Sequence, residues 1–117
     1  MICRLWRGWT TPQNAPFYEE IVRGEVIPEI EGRGIPGFLS LDLMRRPVED
    51  GFEFATLMWF DDLEAVKRFV GDDYDVAHVP ERARKVLSRF DERSAHFEVI
   101  DRHDPQPTAQ DVPRRTL

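Results

Sequence analysis

Three histidines, three tryptophans and a single cysteine carry most of the chain's capacity for specialised chemistry. His78 lies in the stretch YDVAHVPE, between two segments of helical periodicity. His96 falls mid-strand, on a face with Ser94, Glu98 and Ile100. An imidazole with an unperturbed pKa of roughly 6.5 takes up and returns protons near neutrality, so both are candidate proton acceptors. Trp6 and Trp59 are candidate walls that would stack on a flat substrate. Trp9, nearer a strand end, is a lesser one. Arg4 shares a face with Trp6 by the two-residue period of a strand. A buried guanidinium would either meet an Asp or Glu or serve an anionic substrate. Each residue also has a plainer use: a capping or surface histidine, a core tryptophan, an internal ion pair. His103 opens the C-terminal tail and is given no role.

No established motif supplies the chemistry. The chain lacks GxGxxG, a phosphate loop, HExxH, GxSxG and a Cys–His nucleophile pair at workable spacing. Gly32, Gly34 and Gly37 suit a helix stop and a turn better than a phosphate cradle. Cys3 stands alone, so neither an intrachain disulfide nor a cysteine-based zinc site is expected. No metal is expected either. Acid and base groups must come from isolated side chains that the fold brings together.

The elements that must position them can be read along the chain. Ile2 to Trp9 reads as a strand. Thr11 can cap a following helix with Pro12 in its first turn, and Tyr18, Val22, Val26 and Ile30 recur at helical spacing. Pro28 inside that helix presses on the carbonyl of Gly24, which predicts a kink or bulge between them. Gly32 and Gly34 stop the helix. Phe38 to Arg46 alternates as a strand, with Leu39, Leu41 and Leu43 on one face. After a short loop, FEFATLMWF (52–60) is a strand apolar on both faces. Asp61 or Asp62 caps a helix to about Val70, and Pro80 starts another that carries Val86, Leu87 and Phe90. Ser94 to Asp101 is the last strand, and 102–117 is a polar, proline-containing tail.

At 117 residues the chain fits one domain. A net charge of −6 and a pI near 5.0, with the basic residues scattered, argue against nucleic acid as a partner. No apolar run reaches membrane-spanning length, and MICRLWRGW has no signal-peptide core, so a cytoplasmic protein without membrane contact is expected.

The order β-α-β-β-α-β, with its second helix broken in two, is the α+β ferredoxin-like pattern. Helices cover one face of such a sheet, and the other needs solvent, a ligand or a partner. Because the strand 52–60 is apolar on both faces, a homodimer that closes an α/β barrel is expected.

The segments ICRLWRGWT, GIPGF, WFDDLEAVKRF and SRFDERSAHFEV, taken in this order, resemble the antibiotic biosynthesis monooxygenase superfamily of dimeric α/β barrels over residues 1–101. The resemblance implies an oxygenase using no cofactor, with a small aromatic or polyketide-like substrate inside each barrel. It places His78 at the barrel mouth as a catalytic candidate beside His96, with Arg4, Trp6, Trp59 and Phe69 as substrate-binding candidates. An alternative within the same fold is a non-catalytic or isomerase-like barrel that binds a small ligand. A third is a haem-binding or haem-degrading protein, because YDVAH resembles the iron-ligating histidine context of haem-degrading relatives. Those relatives also carry Asn in strand one and Trp in the preceding helix, where this chain has Trp6 and Phe69.

Overall fold

The structure, a computed structural model, describes residues 1–105. The expected tail, 102–117, lies mostly outside them.

Strand β1 (Ile2–Thr10) is the centre of the sheet. It pairs antiparallel along its whole length with β3 (Gly51–Phe60), from Ile2↔Phe60 to Thr10↔Phe52. β2 (Phe38–Val48) forms a hairpin with β3. The other edge of β1 takes two short strands, β4 (Arg89–Phe90) and β5 (Ala95–Glu98). The order β2-β3-β1-β4/β5 puts β3 between β2 and β1, as the split βαβ pattern requires.

Alternation in β3 sends Phe54, Met58 and Phe60 to the helix side, where they are buried. Burial of each large apolar side chain contributes about 1.5–3 kcal/mol, so this face is the core. One core cluster joins Phe54 to Tyr18, Ile21, Val79 and Ala83. A second joins Met58 and Phe60 to Ile30, Ala65, Val66 and Phe69. On the opposite face Leu57 and Trp59 are half-buried, with no helix over them.

The first helical stretch has three parts: α1 (Ala15–Ile21), a π turn (Val22–Val26) and α2 (Ile27–Gly32). The π turn falls where Gly24 and Pro28 predict a bulge. The Ile27 amide donates to the Val22 carbonyl, five residues back, and Pro28 enters the first turn of α2, where its missing N–H costs nothing. Thr11 caps only a preceding turn, its hydroxyl accepting from the Asn14 amide at 3.2 Å, so α1 starts later than the sequence suggests. α3 (Leu63–Val70) is capped as expected, the Asp62 carboxylate accepting from the Ala65 amide at 2.9 Å.

Two expectations need correction. A bulge between Phe38 and Ser40 turns Leu39 outward, so it does not share a face with Leu41 and Leu43. The helix begun at Pro80 is only α4 (Glu81–Val86). Beyond it the edge of β1 captures the chain: Ser88 donates to the Trp9 carbonyl at 2.7 Å and Phe90 pairs with Gly8. Gly8 permits this approach, since a Cβ there would lie 2.6 Å from the Trp6 ring and 3.0 Å from Leu87.

Candidate functional site

The two core clusters do not meet completely. Between them, under the π turn, lies a cavity of about 50 Å³. Its apolar wall includes Tyr18, Val22, Ile30 and Met58. Its polar groups include Arg4, Thr56, His78 and Ser94, with Trp6 and Phe69 beside them. One water needs roughly 10–15 Å³ of such space, so the cavity as it stands holds a few waters, and any larger ligand needs its wall to move.

Arg4 is 3% exposed at one end of the cavity. β1 aims it there because Arg4 and Trp6 alternate onto the helix side. Its guanidinium donates to the carbonyls of Tyr74 (2.6 Å) and Val76 (2.8 Å), tying β1 to the segment 71–80. Among the described residues no carboxylate pairs with it directly. The third bond goes from Nη1 to His96 Nε2 at 3.0 Å, across the Arg4↔His96 strand pair. Arg donates only, so Nε2 carries the lone pair and neutral His96 holds its proton on Nδ1. Nδ1 then donates to Asp75 Oδ1 at 3.1 Å. Burial, opposed by Asp75, pushes the Arg4 pKa down to about 10, far enough above neutrality to keep the charge.

His78 lies in the irregular segment that Arg4 anchors. Its ring packs edge-on against Phe69, with centroids 5.2 Å apart. Nε2 is sealed from solvent without a hydrogen-bond partner. Glu29 Oε1 lies 4.0 Å away, too far for a hydrogen bond, so that contact is electrostatic only. Burial, and then the Arg33 cation, hold the His78 pKa below its ordinary value against the pull of Glu29. A neutral imidazole that lines an apolar cavity is a competent proton acceptor in the tautomer that leaves Nε2 unprotonated. Phe69 is held between two cations, Arg4 at 5.5 Å and Arg33 at 5.4 Å from its centroid.

The fold thus gathers Arg4, Trp6, Phe69 and His78 around one cavity. It places His96 behind Arg4 with both ring nitrogens engaged and its pKa lowered, chiefly by burial and then by Arg4. Trp59 is on the opposite face, its indole N–H donating to Asp42 at 3.3 Å, away from the cavity. Ser94 escaped notice as a site residue. It is 5% exposed with an unpartnered hydroxyl. Its place on the same strand face as His96 was the available signal.

Solved structures resemble this arrangement over nearly its whole length. A provisionally assigned antibiotic biosynthesis monooxygenase from Bacillus cereus superposes with a TM-score of 0.64 at 17% identity, covering 91% of this chain and 97% of that one. SnoaB, a cofactor-independent oxygenase from Streptomyces nogalater, gives 0.56 at 16% identity over 90% and 98%. A Streptomyces coelicolor monooxygenase bound to Nanaomycin D gives 0.54 at 17% identity over 92% of each chain. The chain has the fold of the antibiotic biosynthesis monooxygenases. No protein-family model and no curated protein matches the sequence itself. Among the described residues, no helix of this antibiotic-biosynthesis-monooxygenase fold is long and apolar enough to cross a membrane, and no three His, Cys, Asp or Glu side chains gather into a metal-ligand cluster.

Proposed function

We propose that this protein is an oxygenase that uses no metal or organic cofactor and acts on a small aromatic molecule in the cavity between Arg4 and His78. The observation that carries the reading is the unpartnered, solvent-sealed Nε2 of His78 at an apolar cavity. His78 takes a proton from an acidic C–H of the substrate, and the carbanion passes its electrons to dioxygen. At a ring methylene the hydroperoxide so formed loses water, so CH2 and O2 become C=O and H2O. Trp6 is oriented by its indole N–H, which donates to the Asp91 carbonyl at 2.7 Å and leaves the ring to pack on the substrate. The likeness to a cofactor-independent oxygenase supports this reading.

A second reading, a barrel that binds a small ligand without turnover, draws support from the cavity's size. A fused-ring substrate enters only if the wall formed by Val22, Val26 and Ile27 moves outward. Oxygen uptake with an anthrone or dihydroxynaphthalene separates the two. The oxygenase reading expects uptake by the wild type and a loss of about 100-fold or more in His78→Ala. Saturable binding without uptake supports the second reading instead.

We further infer that two copies pair through the uncovered sheet face. Cys3, Leu5, Ala55, Leu57, Trp59 and Phe97 are adjacent there in register, and Phe97 is 55% exposed.

A further inference from the structure

We propose that Arg4 and Ser94 form an oxyanion-recognising end of the cavity, so that the site selects an apolar molecule bearing one negatively charged oxygen. The proposal rests on the reading of this cavity as the ligand site but does not depend on any oxygen chemistry.

Three observations converge. A guanidinium 3% exposed normally meets a carboxylate, because a buried charge is costly when unpaired. Here the nearest countercharge, Asp75, is reached only through His96. The three bonds to Tyr74, Val76 and His96 use three of the five N–H donors that a guanidinium carries, and they hold its plane fixed. Ser94 then adds a hydroxyl, itself 5% exposed, that lines the same cavity and has no partner. It belongs to the segment that carries His96, and its amide donates to the Asp75 carbonyl at 2.6 Å. The same stretch of chain thus carries the hydroxyl at the cavity and His96 behind the cation, with Asp75 reaching His96 from the segment 71–80. Apolar walls from Val22, Ile30 and Met58 face these polar groups. An aromatic carboxylate, phenolate or enolate satisfies all of these at once. A neutral molecule leaves the charge unmatched, and a cation is repelled.

Benzoate and its neutral isostere benzamide differ only in charge and need the least outward movement of the wall formed by Val22, Val26 and Ile27, so titration calorimetry on the intact chain tests this, with the Trp6 indole N–H resonance reporting occupancy of the cavity. The expectation is benzoate binding at least about tenfold tighter than benzamide. Arg4→Gln abolishes the preference and Arg4→Lys restores part of it. Ser94→Ala removes an unpartnered hydroxyl, so it stays folded and weakens benzoate a few-fold, which keeps the test decisive if Arg4→Gln fails to fold. Equal affinity for the two probes, no saturable binding of either up to roughly 10 mM, or unchanged benzoate affinity in Ser94→Ala overturns the proposal. Discrimination without oxygen uptake sinks only the oxygenase reading. Uptake with neutral substrates and no discrimination sinks only this one.

Discussion

His78 and His96 differ in what their ring nitrogens face. His96 Nε2 looks onto a guanidinium and Nδ1 onto a carboxylate, so neither is open to a substrate. His78 Nε2 has no hydrogen-bond partner and stands 4.0 Å from Glu29 Oε1, beyond hydrogen-bond reach. This difference was not legible in the sequence. It depends on the Arg4↔His96 register and on Asp75, 21 residues upstream in an irregular segment, and no periodicity reports either. What the two-residue period did convey was that Arg4 and Trp6 travel together. Both histidines have pKa values lowered on folding, chiefly by burial. The unfolded chain therefore binds more protons than the folded one below about pH 6.5. Stability from this source is complete above that pH and declines as pH falls through the folded pKa values. The Arg33 cation lowers the His78 pKa, so Arg33→Gln is expected to move it upward. An NMR titration of the His78 ring protons measures this without any substrate. A downward or absent shift would show that the electrostatics around His78 are misread.

At the scale of elements, the interrupted first helix forms one wall of the cavity. The sequence located the interruption because Pro28 cannot donate and Gly24 lies four residues before it. Glycine itself is not what makes the interruption possible. The π turn, not the missing side chain, absorbs the proline, and a Cβ at Gly24 would meet nothing within 4 Å. Glycine in a helical segment is unfavourable relative to alanine by roughly 0.5–1 kcal/mol. Gly24→Ala is therefore expected to stabilise the protein by about that amount, read as a higher denaturant midpoint at unchanged slope. Destabilisation would mean that the turn does require glycine. Other boundaries were less legible for a related reason. The stripe of Ala83, Val86, Leu87 and Phe90 reads as one helix, yet the free edge of β1 beside Gly8 competes for the chain after Val86 and wins. A tertiary partner overrode local periodicity there, as the bulge at Leu39 overrode simple alternation.

For the whole molecule, the decisive quantity is the apolar surface left on the uncovered sheet face. The sequence made this visible, since both alternate sets of FEFATLMWF are largely apolar, but it could not say which set faces the helices. The structure assigns Phe54, Met58 and Phe60 to the core, leaving Leu57 and Trp59 outside with Leu5 and Phe97. On that face the central strand β1 carries Leu5 and Arg7 on either side of its midpoint, while Asp42 and Arg46 stand on the edge strand β2. An apolar patch with charges along its edge has the anatomy of a protein interface. A five-stranded face of this kind can supply the ~800 Å² per partner of a stable complex. A two-fold pair is the simplest way for one chain to cover its own copy. Sedimentation at micromolar concentration is accordingly expected to give a dimer. Leu57→Lys places a like charge from each copy near the centre of the contact, and Trp59→Ala removes its largest side chain. Together they should weaken association by about 100-fold or more, yielding a monomer whose helix-side core and cavity are untouched. A wild-type monomer at that concentration would mean that this face meets solvent or a different partner.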